Sequence, residues 1–198
     1  MSGERSLAVA LLAGGRSLRF GSDKAFFVPP GAAEPMWRLQ LDKLLALEAS
    51  EVIVSVGSRS SPTGFSPPTG VRLIPDRHPD QGPLGGLASV LGEIRSERLL
   101  VLGIDMPGVT VAALGLLLEA CEPGNGRGLV PWLAGRWEPL LAIYPRVMSD
   151  VAEQRLARGE RSLQGFVEAG VARGMIGSWP VPDACAGWFV NLNRPETS

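Results

Sequence analysis

Residues Leu7 to Ala25 read "LAVALLAGGRSLRFGSDKA". The six apolar residues Leu7 to Leu12 have strand length and no polar alternation, so the pattern predicts a strand buried on both faces, as in a parallel sheet. A loop of glycines and cations follows, with Gly14, Gly15, Arg16, Arg19 and Lys24. Glycine lets the backbone approach a ligand closely, and successive N–H groups in a turn form an anion cradle that a nearby cation reinforces. The spacing fits neither of two familiar phosphate loops. Five residues separate Gly15 from Gly21 and Ser22, not lysine, follows; Gly14 and Gly15 are adjacent instead of alternating with another residue.

Working outward, the chain alternates. Helical spacing of Met36, Leu39, Leu41, Leu44, Leu45 and Leu47 predicts a helix over Pro35 to Glu48, and "EVIVSV" (Glu51 to Val56) a second strand. The segment Gly57 to Gly70 is rich in Ser, Pro, Thr and Gly and reads as a surface loop, followed by a third strand at Val71 to Ile74. After the turn-forming run "PDRHPDQGPLGG" come a helix at Gly86 to Ile94, a strand at Arg98 to Leu102 and a helix at Val111 to Ala120. This order implies an α/β fold with a mostly parallel sheet and helices on both faces. From Leu129 the order changes: a hairpin about Ala134-Gly135, helices over Val147 to Ala157 and Ser162 to Glu168, and a short strand near Met175 to Trp179 form a small mixed C-terminal part. With no internal repeat, residues 1–198 are expected to form a single domain.

Composition narrows the function. Lys+Arg 19 against Asp+Glu 20 gives a net charge of -1, so no basic field gathers nucleic acid, whereas a small anion needs only local charge. Cys121 and Cys185 form no CxxC, which argues against zinc and fits reduced thiols in a cytoplasmic protein. The apolar start runs into glycines and reads as a strand, not a signal peptide, and Leu99 to Ala120 carries Asp105 and Pro107, so no membrane span is expected.

In open sheets, ligands sit beyond the carboxyl ends of the strands. The loop after strand one holds the glycines with Arg19 and Lys24; the loop after strand three holds Asp76, Arg77 and His78, then "GPLGG"; the loop after strand four holds Asp105. Cations, glycines and two carboxylates on one rim suit a nucleoside triphosphate with Mg²⁺, which takes one or two carboxylates plus phosphate oxygens. Each residue also has a structural reading. Gly14 and Gly15 serve to turn a chain, Asp76 after Pro75 and Asp105 before Met106-Pro107 can start turns, and Arg77 and His78 read as solvated loop residues. Trp132, Trp137, Trp179 and Trp188 read as packing.

The block "LAGGRSLRFGSDKA" is similar to the nucleotidylyltransferase signature LAGGxSxRMGxDKA. With "PDRHPDQGPLGGLASVL", "VLGIDMP", "WEPLLAIYP" and "FVNLNRPE", the chain resembles the molybdenum cofactor guanylyltransferase (MobA-like) family along nearly its whole length. The resemblance implies a Rossmann-like three-layer nucleotidyltransferase fold. The activity it implies is transfer of GMP from GTP to the terminal phosphate of molybdopterin, or its molybdenum-loaded form, with Mg²⁺ as cofactor and pyrophosphate released. It implies backbone contacts to the nucleotide from Leu12, Ala13, Gly14 and Gly15, and phosphate contacts from Arg19 and Lys24. It further implies that Asp76 places the nucleoside and that Asp105 binds both nucleotide and Mg²⁺. Gly82, Pro83, Leu84, Gly85, Asn191 and Asn193 would lie on the acceptor side. Phe20 replaces a methionine of the pattern, and Ser55 stands where some members carry a nucleotide-contacting asparagine. Beyond GTP and the pterin, the implied partners are transient ones among cofactor-biosynthesis proteins or molybdoenzymes, with neither nucleic acid nor membrane. Two alternatives stay open: the same fold with another base or acceptor, such as a molybdopterin cytidylyltransferase or a sugar-phosphate nucleotidylyltransferase, and a nucleotide-binding module without catalysis.

Overall fold

The computed structural model describes residues 6–14, 24–57, 64–121 and 125–189. β1 (Leu7–Leu12) is the strand expected, and its alternation explains its uniform apolarity. Ala8, Ala10 and Leu12 enter the core on one face of the sheet, while Val9, Leu11 and Ala13 enter the core on the other. β1 pairs in parallel with β2 (Glu51–Ser55) and β4 (Arg98–Gly103), and β2 pairs in parallel with β3 (Val71–Ile74). α1 (Met36–Leu45) and α3 (Val111–Ala120) cover one face. α2 (Gly82–Glu93), α4 (Met148–Ala157) and α5 (Leu163–Ala172) cover the other.

Three helices depart from their expected bounds by more than one residue, and the first, α1, ends at Leu45, three residues short of Glu48. α2 begins at Gly82, not Gly86, so "GPLGG" is its first turn instead of a loop. Pro83 suits the start of a helix, where its missing N–H is no loss; Gly82 before it supplies a positive φ of 67°, and Gly85 and Gly86 serve packing. A Cβ on Gly86 would lie 3.1 Å from both Asp76 Oδ1 and Ser55 Oγ. α5 runs past Glu168 to Ala172, and Gly170 in its last turn lets it pack closely against Ile176 and Met148.

The second half of the sheet adds β5 (Gly128–Leu133), β6 (Arg136–Trp137), β7 (Leu141–Pro145) and β8 (Ile176–Pro180). Strands pair in the order β3-β2-β1-β4-β7-β5, and β6 and β8 both pair with β5. β7 runs antiparallel to β4, so Leu140 at its start meets the carboxyl end of β4, where Gly103 N–H donates to Leu140 O at 2.7 Å. The expected hairpin about Ala134-Gly135 is present. A strand has two edges; β8 takes one edge of β5 over Gly128–Trp132, so β6 and β7 share the other. Along it Trp132 pairs with Trp137 but Leu129 with Ile143, so three steps on β5 face six on the returning chain. The surplus residues Glu138, Pro139 and Leu140 form a bulge. Tyr144 is fully buried and its hydroxyl donates to Pro139 O at 2.8 Å, fixing that bulge from beneath. Among the described residues no helix is long and apolar enough to cross a membrane.

Candidate active site

The carboxyl ends of β3, β2, β1 and β4 are stitched into one rim by backbone bonds. Asp76 N–H donates to Gly57 O at 2.9 Å, Ala13 N–H to Ser55 O at 3.0 Å, and Ile104 N–H to Leu12 O at 3.2 Å. Gly14 lies where the β1 and β2 loops touch: a Cβ there would fall 2.5 Å from Gly57 N and Cα, so the contact excludes any side chain. Three interstrand spacings separate β3 from β4, placing Asp76 and Asp105 about 14 Å apart across the rim. That span suits a nucleoside at one end and its phosphates at the other.

Ser55 is buried, and its hydroxyl donates to Asp76 Oδ1 at 3.2 Å. That bond fixes where the Asp76 carboxylate sits on the rim. The loop after β3 is better anchored than its sequence suggests. Arg77 N–H donates to Ser89 Oγ at 2.9 Å, the Arg77 side chain contacts Glu93, and His78 Nε2 lies 2.9 Å from Glu153 Oε1 on α4.

Lys24 opens a short 3-10 turn, Lys24–Phe26, tied to the body by its neighbours. Ala25 is fully buried, Phe26 meets Phe65 edge-on with ring centres 4.8 Å apart, and Met36 N–H donates to Phe27 O at 2.8 Å. Gly15, Arg16, Arg19, Phe20, Asn191 and Asn193 lie outside the described residues.

Asp105 follows β4, and sequence reasoning missed what holds its loop. Gln40, fully buried on α1, donates from Nε2 to Met106 O at 2.9 Å, and Lys43 Nζ donates to Pro107 O at 3.1 Å. Burial draws the Lys43 ammonium below its ordinary pKa. The signal was present: Gln40 interrupts the buried stripe Met36, Gln40, Leu44, a polar residue where the 3.6 period demands an apolar one.

Beyond Asp105, away from Asp76, a cavity of about 320 Å³ opens. Asp105, Pro83, Arg136, Glu138, Arg161 and Gln164 line it. Of the remaining "GPLGG" residues, Gly82 starts α2, Leu84 is fully buried in the core, and Gly85 packs under the His78 carbonyl. Pro83 alone of the expected Gly82–Gly85 acceptor group lines the cavity. Gln164 clamps the strand edge beside it: its Oε1 accepts from Trp137 N–H at 3.1 Å and its Nε2 donates to Trp137 O at 2.8 Å.

The sequence model of the MobA-like NTP transferase domain matches residues 9–172. The chain belongs to this family. A MobA-like relative from Opitutus terrae, named "Probable molybdenum cofactor guanylyltransferase", is 34% identical over 194 residues, covering 96% of this chain and 92% of its own. One of the same name from Chloroflexus aggregans is 34% identical over 191 residues, covering 94% and 88%. The crystal structure of molybdopterin-guanine dinucleotide biosynthesis protein A from Archaeoglobus fulgidus superimposes with a TM-score of 0.73 over 95% of this chain and 93% of that one, at 23% identity. That likeness establishes the Rossmann-like nucleotidyltransferase fold for this MobA-like chain.

Proposed function

We propose that this chain transfers GMP from GTP to the terminal phosphate of molybdopterin, with or without molybdenum, releasing pyrophosphate. The observation that carries the reading is the rim itself: the β1 turn at Leu12–Gly14, the Ser55-bonded Asp76 and Asp105 share one sheet edge, with a second cavity beyond Asp105. The names of the Opitutus and Chloroflexus relatives, similar along nearly the whole chain, supply base and acceptor.

The residues fit Mg²⁺. Asp105 lies past the carboxyl end of β4 and lines the cavity, a carboxylate oxygen donor of the kind Mg²⁺ takes together with substrate phosphate oxygens. Bound there, Mg²⁺ would offset the charge between the two anionic reactants. The chain's own part is positioning and charge. The acceptor is a phosphate monoester already largely ionised near neutral pH, so no side chain need remove a proton from it. Leu12, Ala13 and Gly14 present backbone to the nucleotide, Asp76 places its nucleoside, and Lys24 stabilises the departing pyrophosphate, with Arg19 assigned to the same task. Asn191 and Asn193 are assigned to the pterin, and the reaction to the cytoplasm.

The test is incubation of the chain with each NTP, Mg²⁺ and molybdopterin, followed by mass analysis. GTP alone should yield the GMP adduct and pyrophosphate. A CMP adduct would replace the reading with the cytidylyl reaction, and nucleotide binding without pyrophosphate release would reduce the chain to a binding module.

A further inference from the structure

The first turn of α2 belongs to both halves of the site. Pro83 lines the cavity beyond Asp105. Three residues on, Gly86 packs against the nucleotide end, where a Cβ would meet Asp76 Oδ1 and Ser55 Oγ, each at 3.1 Å. A shift of this turn therefore presses on the Asp76 carboxylate. The chain enters the turn tightly, because Asp80 takes a φ of 60° and Gly82 a φ of 67°, with only Gln81 between them. Glycine adopts that left-handed conformation freely; at Asp80 it costs free energy and persists only where the surroundings enforce it. The other ties of this loop hold its residues 77 and 78 to α2 and α4, through Ser89, Glu93 and Glu153. At Asp80 the hold comes from the opposite side: Arg161 Nη1 donates to Asp80 O at 3.3 Å. Arg161 stands just before Ser162, the N-cap of α5, and lines the same cavity as Pro83. The base from which it reaches is itself fixed, since Gln164 in the first turn of α5 is bonded to both the N–H and the carbonyl of Trp137.

We propose that Arg161 is a positioning residue for the nucleotide: from the cavity wall it fixes the entry to α2 through the Asp80 carbonyl, and the first turn of α2 in turn holds Asp76 where the nucleoside is placed. The proposal rests on the assignment of Asp76 to the nucleoside in the reading above. A guanidinium suits the task, because it is always charged and carries five N–H donors in a rigid, planar fork. The same charge also attracts a triphosphate at a distance. The two effects separate cleanly. Attraction acts on any chain of phosphates, whereas positioning through Asp76 acts only on a ligand that carries a nucleoside.

The experiment compares, by isothermal titration, Mg·GTP with magnesium tripolyphosphate, which carries the phosphate chain without a nucleoside. The proteins are the wild type and Arg161→Met, which keeps an apolar stem and removes every donor. GTP should bind the variant about threefold to tenfold more weakly, the range that one net hydrogen bond spans, while tripolyphosphate affinity changes by less than about twofold. Equal losses for the two ligands assign Arg161 to the phosphates and overturn the proposal, and so does an unchanged GTP affinity. No GTP binding by the wild type at millimolar concentration overturns it outright. A second background reads the same split where tripolyphosphate binds too weakly to measure. With Asp76→Ala in place, Arg161→Met should cost less than about twofold in GTP affinity, and a loss as large as in the wild-type background overturns the proposal. Arg161→Gln repeats the series if the methionine variant does not fold. GMP transfer by the wild type alongside a GTP affinity indifferent to Arg161 sinks only this inference. An Arg161-dependent GTP affinity without GMP transfer sinks only the proposed function.

Discussion

At the scale of single residues, the rim is built from contacts that tolerate little change. Gly14 is the tightest, because its neighbours are Gly57 backbone atoms rather than a side chain that can swing away. Gly14→Ala should separate the β1 and β2 loops, cost about 1–3 kcal/mol as an overpacking change, and weaken GTP binding; a wild-type melting curve would show that the loops accommodate the methyl. Asp105→Asn keeps shape and removes charge. Turnover should fall by a factor on the order of 10² with the fold intact, and near-normal turnover at low Mg²⁺ would remove Asp105 from the metal's ligands.

At the scale of elements, α1 is more than a cover for the sheet, since Gln40 fastens it to the loop that carries Asp105. Gln40→Leu strands the Met106 carbonyl, which costs roughly 1–3 kcal/mol. Gln40 Oε1 has no partner among the described residues, so its removal offsets part of that and the net loss should lie near the lower figure. If the helix holds Asp105 in place, the same variant should raise the Mg²⁺ concentration for half-maximal turnover more than it raises KM for GTP. An equal loss in both would make Gln40 a packing residue only. β1, β3 and α3 were legible to the residue because breakers or a cap stand at their ends: Gly14 and Gly15 past β1, Gly70 and Pro75 about β3, and Thr110 before α3. The start of α2 was not, because in "GPLGG" the signal for a turn and the signal for close packing are the same glycines. Of the rim, Asp76 and Asp105 could be placed by the strand-end rule, whereas Ser55, Gln40 and Glu138 depend on partners distant in sequence. The bulge at Glu138–Leu140 escaped notice because register is set by pairing across strands, which a linear pattern does not contain.

At the scale of the whole molecule, the two ends of the sheet do separate work. At the end remote from the rim, Glu51 Oε1 accepts from Ser96 Oγ at 2.6 Å, Ser96 N–H at 2.7 Å and Arg95 N–H at 2.9 Å, while Arg72 bridges Glu51 and Glu93. Burial works to raise the Glu51 pKa, but the Ser96 and Arg95 hydrogen bonds and the Arg72 charge together outweigh it and hold the carboxyl below its ordinary value. A carboxyl depressed in the folded state stabilises above its unfolded pKa, and that stability is lost as pH falls through the folded value. The melting temperatures of wild type and Glu51→Gln should therefore differ most near neutrality and converge in acid, with neutral-pH transfer unaffected; a constant gap across pH would assign the effect to shape alone. Roughly 15 Å of strand lies between this network and the rim, so this pH-sensitive carboxylate stands apart from those proposed for the chemistry. The reversal of β7 against β4 has a further consequence. It brings a distant stretch of chain, the bulge and the start of α5, to the far side of Asp105, so the cavity there is lined mostly by residues 136–164 while the rim is built from residues 12–105. If the cavity takes the acceptor, an inheritable change in residues 136–164 retunes what receives the nucleotide without rewriting the rim that donates it, which would make this stretch an interchangeable cassette on a fixed engine.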